Sequence, residues 1–169
     1  MDIPNNIAEL THLFERFGAK DSELWARSQI KEGIPQLQRF LFLRQAWRSV
    51  LDEGNIEWIE REIQEAEGYP SGPYAGIGAA LKRALTKGVS PKDLTEIARG
   101  IQAQMLFQIC YLLDDPQFRE PELEEFAWGL FEVDNDGNAI PPRIGSLHEL
   151  VLEIDPTGRE MRPRGASNA

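Results

Sequence analysis

Residues 90–116, SPKDLTEIARGIQAQMLFQICYLLDDP, constrain the fold more than any other stretch of the chain. Ser90 stands as a helix cap, Pro91 at the first helical position and Asp93 three residues after the cap, which is a complete start signal. Asp114, Asp115 and Pro116 supply the stop. In between, Leu94, Ile97, Ala98, Ile101 and Met105 share one helical face, and beyond Met105 the segment is apolar on nearly every side. A helix that is apolar all round is a buried helix. The expectation is therefore a central buried helix near 91–114 that the rest of the fold surrounds.

The residues before it also read as helices. Ile7, Leu10, Leu13, Phe14 and Phe17 have helical spacing and end at Gly18. Asp21 or Ser22 can cap a second helix that stops at Gly33. Pro35 fits the first turn of a third, lined by Leu37, Phe40, Leu41, Trp47, Val50 and Leu51. Gly54 closes it and Asn55 can cap a fourth, with Ile56, Ile59, Ile63 and Ala66 on one side and Glu53, Glu57, Glu60 and Glu67 on the other. Residues 69–88 begin as a loop and turn helical near Tyr74. About six helices are expected in all.

After residue 127 the period changes from helical to strand-like. WGLFEVD (128–134), NAIPPRI (138–144), LVLEID (150–155) and REMR (159–162) are short extended candidates, with DPTG (155–158) as a turn. SLHE (146–149) can cap one helical turn through Ser146 and Glu149. The fold class is mainly helical α+β, with a small antiparallel sheet at the C-terminus. The chain reads as a single domain over 1–163, helical in 1–127 and β-rich in 128–163, followed by a frayed tail at 164–169.

The stretch EVDNDGN (132–138) poses a choice between a calcium loop and a hairpin. With Gly137 at position 6 of an EF loop, position 12 falls on Arg143, which cannot ligate calcium, and Pro141 and Pro142 interrupt the loop. A hairpin with Asp136-Gly137 in its turn needs none of this. A non-EF cation site on Asp134 and Asp136 is the alternative. GPYAGIGAALKR (72–83) matches no phosphate-loop pattern. Its small residues Gly72, Gly76 and Ala80 suit a close helix approach instead.

Catalytic parts are few. There are two histidines and one cysteine. His12 reads as a surface or packing residue, and Cys110 as a buried apolar thiol with its pKa raised. A Cys110–His148 nucleophile pair is the enzymatic alternative. No cofactor and no metal site is expected. The lone cysteine and an N-terminus without a basic or long apolar segment suggest a cytoplasmic, non-membrane chain.

Charge supplies the remaining clue. The chain carries a net −10. Residues 51–67 hold a net −6 and residues 112–136 a net −8, which leaves the rest faintly basic. Such blocks repel phosphate, so nucleic acid is not an expected partner. They would attract a basic protein, or serve only solubility. Candidate contact residues are Glu57, Glu60, Glu122, Glu124, Glu125, Asp134 and Asp136. The expected function is a non-enzymatic cytoplasmic binding module, immunity- or inhibitor-like, that masks a basic protein. The alternative is a small-molecule enzyme or sensor with a pocket between the helical body and the C-terminal sheet, holding Trp128, Arg143 and His148. A third reading is self-association through an exposed aromatic face.

The segments CYLLDDP, WGLFEVDNDG and LHELVLEIDPTGREMRPR, taken together, resemble a small family of bacterial proteins of unknown function. The resemblance implies a bacterial, cytoplasmic, single-domain protein and carries over no catalytic residue.

Overall fold

The computed structural model describes residues 3–163. The residues expected to form a frayed tail, 164–169, lie outside them. Seven α-helices and one two-stranded sheet are present among the described residues: α1 Ile7–Arg16, α2 Ser22–Glu32, α3 Gln36–Ala46, α4 Glu57–Gly68, α5 Ala75–Thr86, α6 Pro91–Asp114, β1 Glu132–Val133, β2 Ala139–Ile140 and α7 Leu147–Leu150. The fold is mainly helical α+β. The described chain gathers into two compact units, one of residues 3–48 and 105–163, the other of Ser49–Gln104.

The first unit is built on α1, α2 and α3. Asn6 accepts the Glu9 amide to start α1, and Gly18 and Gly33 turn the chain after α1 and α2 with φ of +86° and +73°. α3 ends at Ala46, short of the expected Leu51, in a 3-10 turn Trp47–Ser49. Leu10, Leu13, Phe14, Trp25, Ala26, Leu37 and Phe40 form the core. Phe14, Trp25 and Phe40 meet edge to face with centroids 5.3–5.9 Å apart, the preferred arrangement of aromatic pairs. The C-terminal segment is tied onto these helices by indole and guanidinium donors. Trp25 Nε1 reaches Glu153 (3.1 Å), Trp47 Nε1 the Val151 carbonyl (2.9 Å) and Arg39 Nη2 the Ser146 carbonyl (2.6 Å).

The sheet is smaller than the strand-like spacing suggests. Only Glu132–Val133 and Ala139–Ile140 pair, antiparallel, with Glu132 opposite Ile140. The turn between them is the hairpin the Asp-Gly pair promises: Gly137 has φ +85° and donates to the Asp134 carbonyl (3.1 Å). LVLEID is not a strand. Its start completes α7 and the rest runs as turns, because Leu147 and Val151, four apart, are both fully buried and need a helical repeat to face the same way. REMR is likewise turn, with Glu160 and Met161 at positive φ. The DPTG turn forms as expected, closed from Gly158 N to Asp155 O at 2.8 Å.

The second unit pairs α4 with α5 and adds residues 91–104 of α6. Trp58, Ile59, Ile63 and Leu81 form its core. The close approach occurs at Gly78 rather than along Gly72, Gly76 and Ala80. A Cβ on Gly78 would stand 2.1 Å from the Glu62 carbonyl oxygen, whereas one on Gly76 would meet nothing.

The burial of α6 differs from the expectation. The helix has the expected ends, and Ser90 Oγ accepts the Lys92 amide at its start. Its inward row in the second unit is Thr95, Arg99 and Ala103, while Ile97 and Ile101 are exposed. The polar residues go inside because backbone groups wait there. Thr95 Oγ1 accepts from Trp58 Nε1 and donates to the Asn55 carbonyl, and Arg99 Nη1 donates to the Leu51 carbonyl. Both bonds to carbonyls are partly buried, and removing either donor would leave its carbonyl without that partner. Within the first unit Cys110 is buried, but Met105, Ile109 and Leu112 are exposed.

Candidate functional site

Two features of the first unit share the end of α6. One is a polar hub on Asp114. Its Oδ1 accepts the Ser146 amide (3.0 Å) and its Oδ2 lies 3.0 Å from His148 Nδ1. Arg143 Nη2 donates to the carbonyls of Leu113 (2.8 Å) and Asp114 (2.7 Å) and lies 3.6 Å from Asp114 Oδ1. A carboxylate at a helix C-terminus opposes the macrodipole. Here a guanidinium caps the last carbonyls and offsets it. Gly129 leaves room for this arginine, since a Cβ there would stand 2.8 Å from Arg143 Nε. The His148 ring packs edge-on against Tyr111 and Phe107, with centroids at 4.9 and 5.9 Å.

Trp128, Arg143 and His148, the residues expected in a pocket, thus gather around the end of α6. Each bonds to that end: Trp128 Nε1 donates to the Leu112 carbonyl (2.6 Å), Arg143 Nη2 to the Leu113 and Asp114 carbonyls, and the His148 ring contacts Asp114. A concave pocket of about 100 Å³ exists elsewhere in this unit, between the α1–α2 turn, Trp25, Phe40 and residues 153–156. Its lining cation is Lys20. Ser146 does not cap α7 with its side chain. It has φ +51°, and its amide goes to Asp114. Cys110 is fully buried, and burial, with Asp114 adding, pushes its thiol up to about 12. The thiol is therefore neutral and not an activated nucleophile. Arg39 is also buried and burial lowers its pKa, against the opposing pull of Glu149, Asp114 and Glu153. No group of three or more His, Cys, Asp or Glu side chains among the described residues is placed to hold a metal ion. No helix among them is long and apolar enough to cross a membrane.

The other feature is an exposed aromatic cluster. Phe118, Phe126 and Trp128 lie edge to face, with centroids 5.6–6.2 Å apart. They are 39%, 56% and 36% exposed. Local bonds fold the connecting segment so that Phe118 and Phe126 meet. Asp115 Oδ1 accepts the Gln117 amide, Leu123 N donates to Glu120 O, and Phe126 N donates to Leu123 O. The 3-10 turn Pro121–Leu123 lies in the middle. The Trp128 indole fixes the cluster to the end of α6 through the Leu112 carbonyl.

The acidic candidates fall in both units. Glu57 and Glu60 are exposed on α4 of the second, where Glu60 accepts from Gln64. Glu122, Glu124 and Glu125 are exposed on the segment that carries the aromatic cluster. Asp134 is engaged in its own hairpin. Its Oδ1 accepts the Asp136 and Asn138 amides and its Oδ2 accepts Asn138 Nδ2, and these bonds, the Asn138 side chain first, hold its carboxyl below the usual range. Asp136 is exposed at the tip. Sequence reasoning missed Phe118 and Phe126. Their signal is an aromatic pair in a Pro- and Glu-rich stretch with neither helical nor strand period, where no core face awaits them.

The chain matches no family model, no curated protein and no solved structure. The resemblance to a bacterial family therefore adds nothing to the reading of this site.

Proposed function

We propose that the chain is a non-enzymatic, cytoplasmic binding module that docks a protein partner on the exposed face of its first unit. The observation that carries this is the cluster of Phe118, Phe126 and Trp128: three large rings packed on one another yet left open to solvent. Leaving such area in water forgoes roughly 25 cal/mol for each Å². Contiguous exposed apolar patches of this kind mark interaction sites, and tryptophan and phenylalanine are enriched where partners bury them. The hub beneath supports the same reading. Trp128 Nε1 and Arg143 Nη2 donate to the last carbonyls of α6 and the Asp114 carboxylate takes the Ser146 amide, bonds that hold this part of the unit in place.

The test is site-specific photocrosslinking in the source cells. A photoreactive phenylalanine analogue replaces Phe126, and in a control it replaces the exposed Leu24 of α2. A discrete protein adduct from position 126 and none from position 24 is expected. No adduct from 126, or the same adducts from both positions, overturns the reading.

A further inference from the structure

We infer that the occupant of this face is an amphipathic helix of another protein, apolar where it meets Phe118, Phe126 and Trp128 and lined with lysine and arginine along its flanks. The inference rests on the docking role proposed above and adds the chemistry of the partner.

Charge decides the sign. Between residues 118 and 128 the segment that carries the three rings also holds four glutamates and one arginine. Glu120, Glu122, Glu124 and Glu125 are all exposed. Among the described residues, Glu122, Glu124 and Glu125 take part in no ion pair. The segment thus joins exposed apolar rings to a net negative charge, four exposed glutamates against one arginine. Apolar rings beside one sign of charge call for a partner that joins apolar area to the opposite sign. The same charge argues against a second copy of this chain. In a two-fold contact each patch faces itself, so the four glutamates of one copy would approach the four of the other. An acidic partner would meet the same repulsion.

Ring spacing decides the shape. The three centroids stand 5.6–6.2 Å apart. Side chains at i, i+3 and i+4 of a helix stand about 5–6 Å apart at Cβ, so the three apolar residues of one helical turn form a triangle of the same size and can lie over the three rings. Strand addition needs a free sheet edge, and the rings sit on a turn segment that offers none.

The test uses two 18-residue synthetic helices with the same leucine stripe, one flanked by lysine and the other by glutamate. Each is titrated into the full chain. Binding is read from the Trp128 indole NMR signal, assigned with a Trp128→Phe variant. The lysine peptide is expected to shift that signal and to bind at least about tenfold more tightly at low ionic strength. The gap should close toward about 1 M salt, where charges are screened within roughly 3 Å. Replacing Glu122, Glu124 and Glu125 by glutamine should remove most of the gap while leaving apolar binding, and Phe126→Ala should remove binding of both peptides. Equal binding of the two peptides overturns the charge inference and leaves the docking face standing. If neither peptide moves the Trp128 signal, both fall. A chain that sediments as a dimer and shields Trp128 from the lysine peptide assigns the face to a second copy, which also overturns the inference.

Discussion

The first unit contains two aromatic triads with almost the same internal geometry and opposite surroundings. Phe14, Trp25 and Phe40 meet edge to face at 5.3–5.9 Å and are 0%, 6% and 4% exposed. Phe118, Phe126 and Trp128 meet edge to face at 5.6–6.2 Å, yet more than a third of each is exposed. Ring-to-ring contact is therefore not what makes a core. The buried triad takes one ring from each of three helices, and each ring sits on the apolar stripe of its own helix, so the helices cover it as they pack. The exposed triad comes from one aperiodic segment and the end of its loop. It is ordered by local turns and by one indole bond to the Leu112 carbonyl. A cluster that is ordered without being covered is suited to being covered by something else.

The contrast can be broken most sharply from the buried side. Phe14→Ala or Phe40→Ala removes a ring from a closed core and is expected to cost about 3–5 kcal/mol in denaturant unfolding. Next in size is an attack on the support of the exposed triad rather than on its rings. Asp114→Ala strips the acceptor from the Ser146 amide and the His148 ring, with an expected loss of about 1–3 kcal/mol. It should disturb the NMR signals of Ser146, His148 and Arg143 and leave those of Phe14 and Trp25 in place. Trp128→Phe keeps a ring but deletes the donor to Leu112, for about 0.5–1.5 kcal/mol.

A smaller, local effect is expected at the hairpin on acidification. The Asp134 carboxyl is held below its ordinary value by hydrogen bonds from Asn138, Asp136 and Gly137. A group depressed in the folded state stabilises above its unfolded pKa, about 3.9 for aspartate. That contribution is lost as pH falls through the folded value. The Asn138 and Asp136 amide signals should hold steady from pH 7 down to about 4 and collapse below it. Unchanged signals at pH 2 would mean that the carboxylate does not hold the turn.

Much of this was legible from the residues alone. The helix start at Ser90, stops at Gly18 and Gly33, and the Asp-Gly hairpin follow from local chemistry, which neighbours in sequence supply. What was not legible depends on partners far along the chain. The polar inner row of α6 is set by the carbonyls of Leu51 and Asn55, which no period reveals. Leu147 and Val151 are turned inward through turns that a strand-like composition conceals. For the site, Trp128, Arg143 and His148 are expected to line a pocket; each bonds to the end of α6, and the pocket described in this unit is lined by other residues. The sequence marks Asp114, which joins Ser146 and His148, only as part of a helix stop. The exposed triad escaped because its rings obey neither period, and that lack of period is also why they are uncovered.

The most direct test of the contrast is the unfolding free energy of the Phe118→Ala/Phe126→Ala double variant, measured beside Phe14→Ala. An uncovered triad predicts a cost of no more than about 1 kcal/mol for both exposed rings together, with peptide docking abolished. A cost of about 3 kcal/mol or more, matching the buried ring, would place Phe118 and Phe126 in a closed core and contradict the docking account.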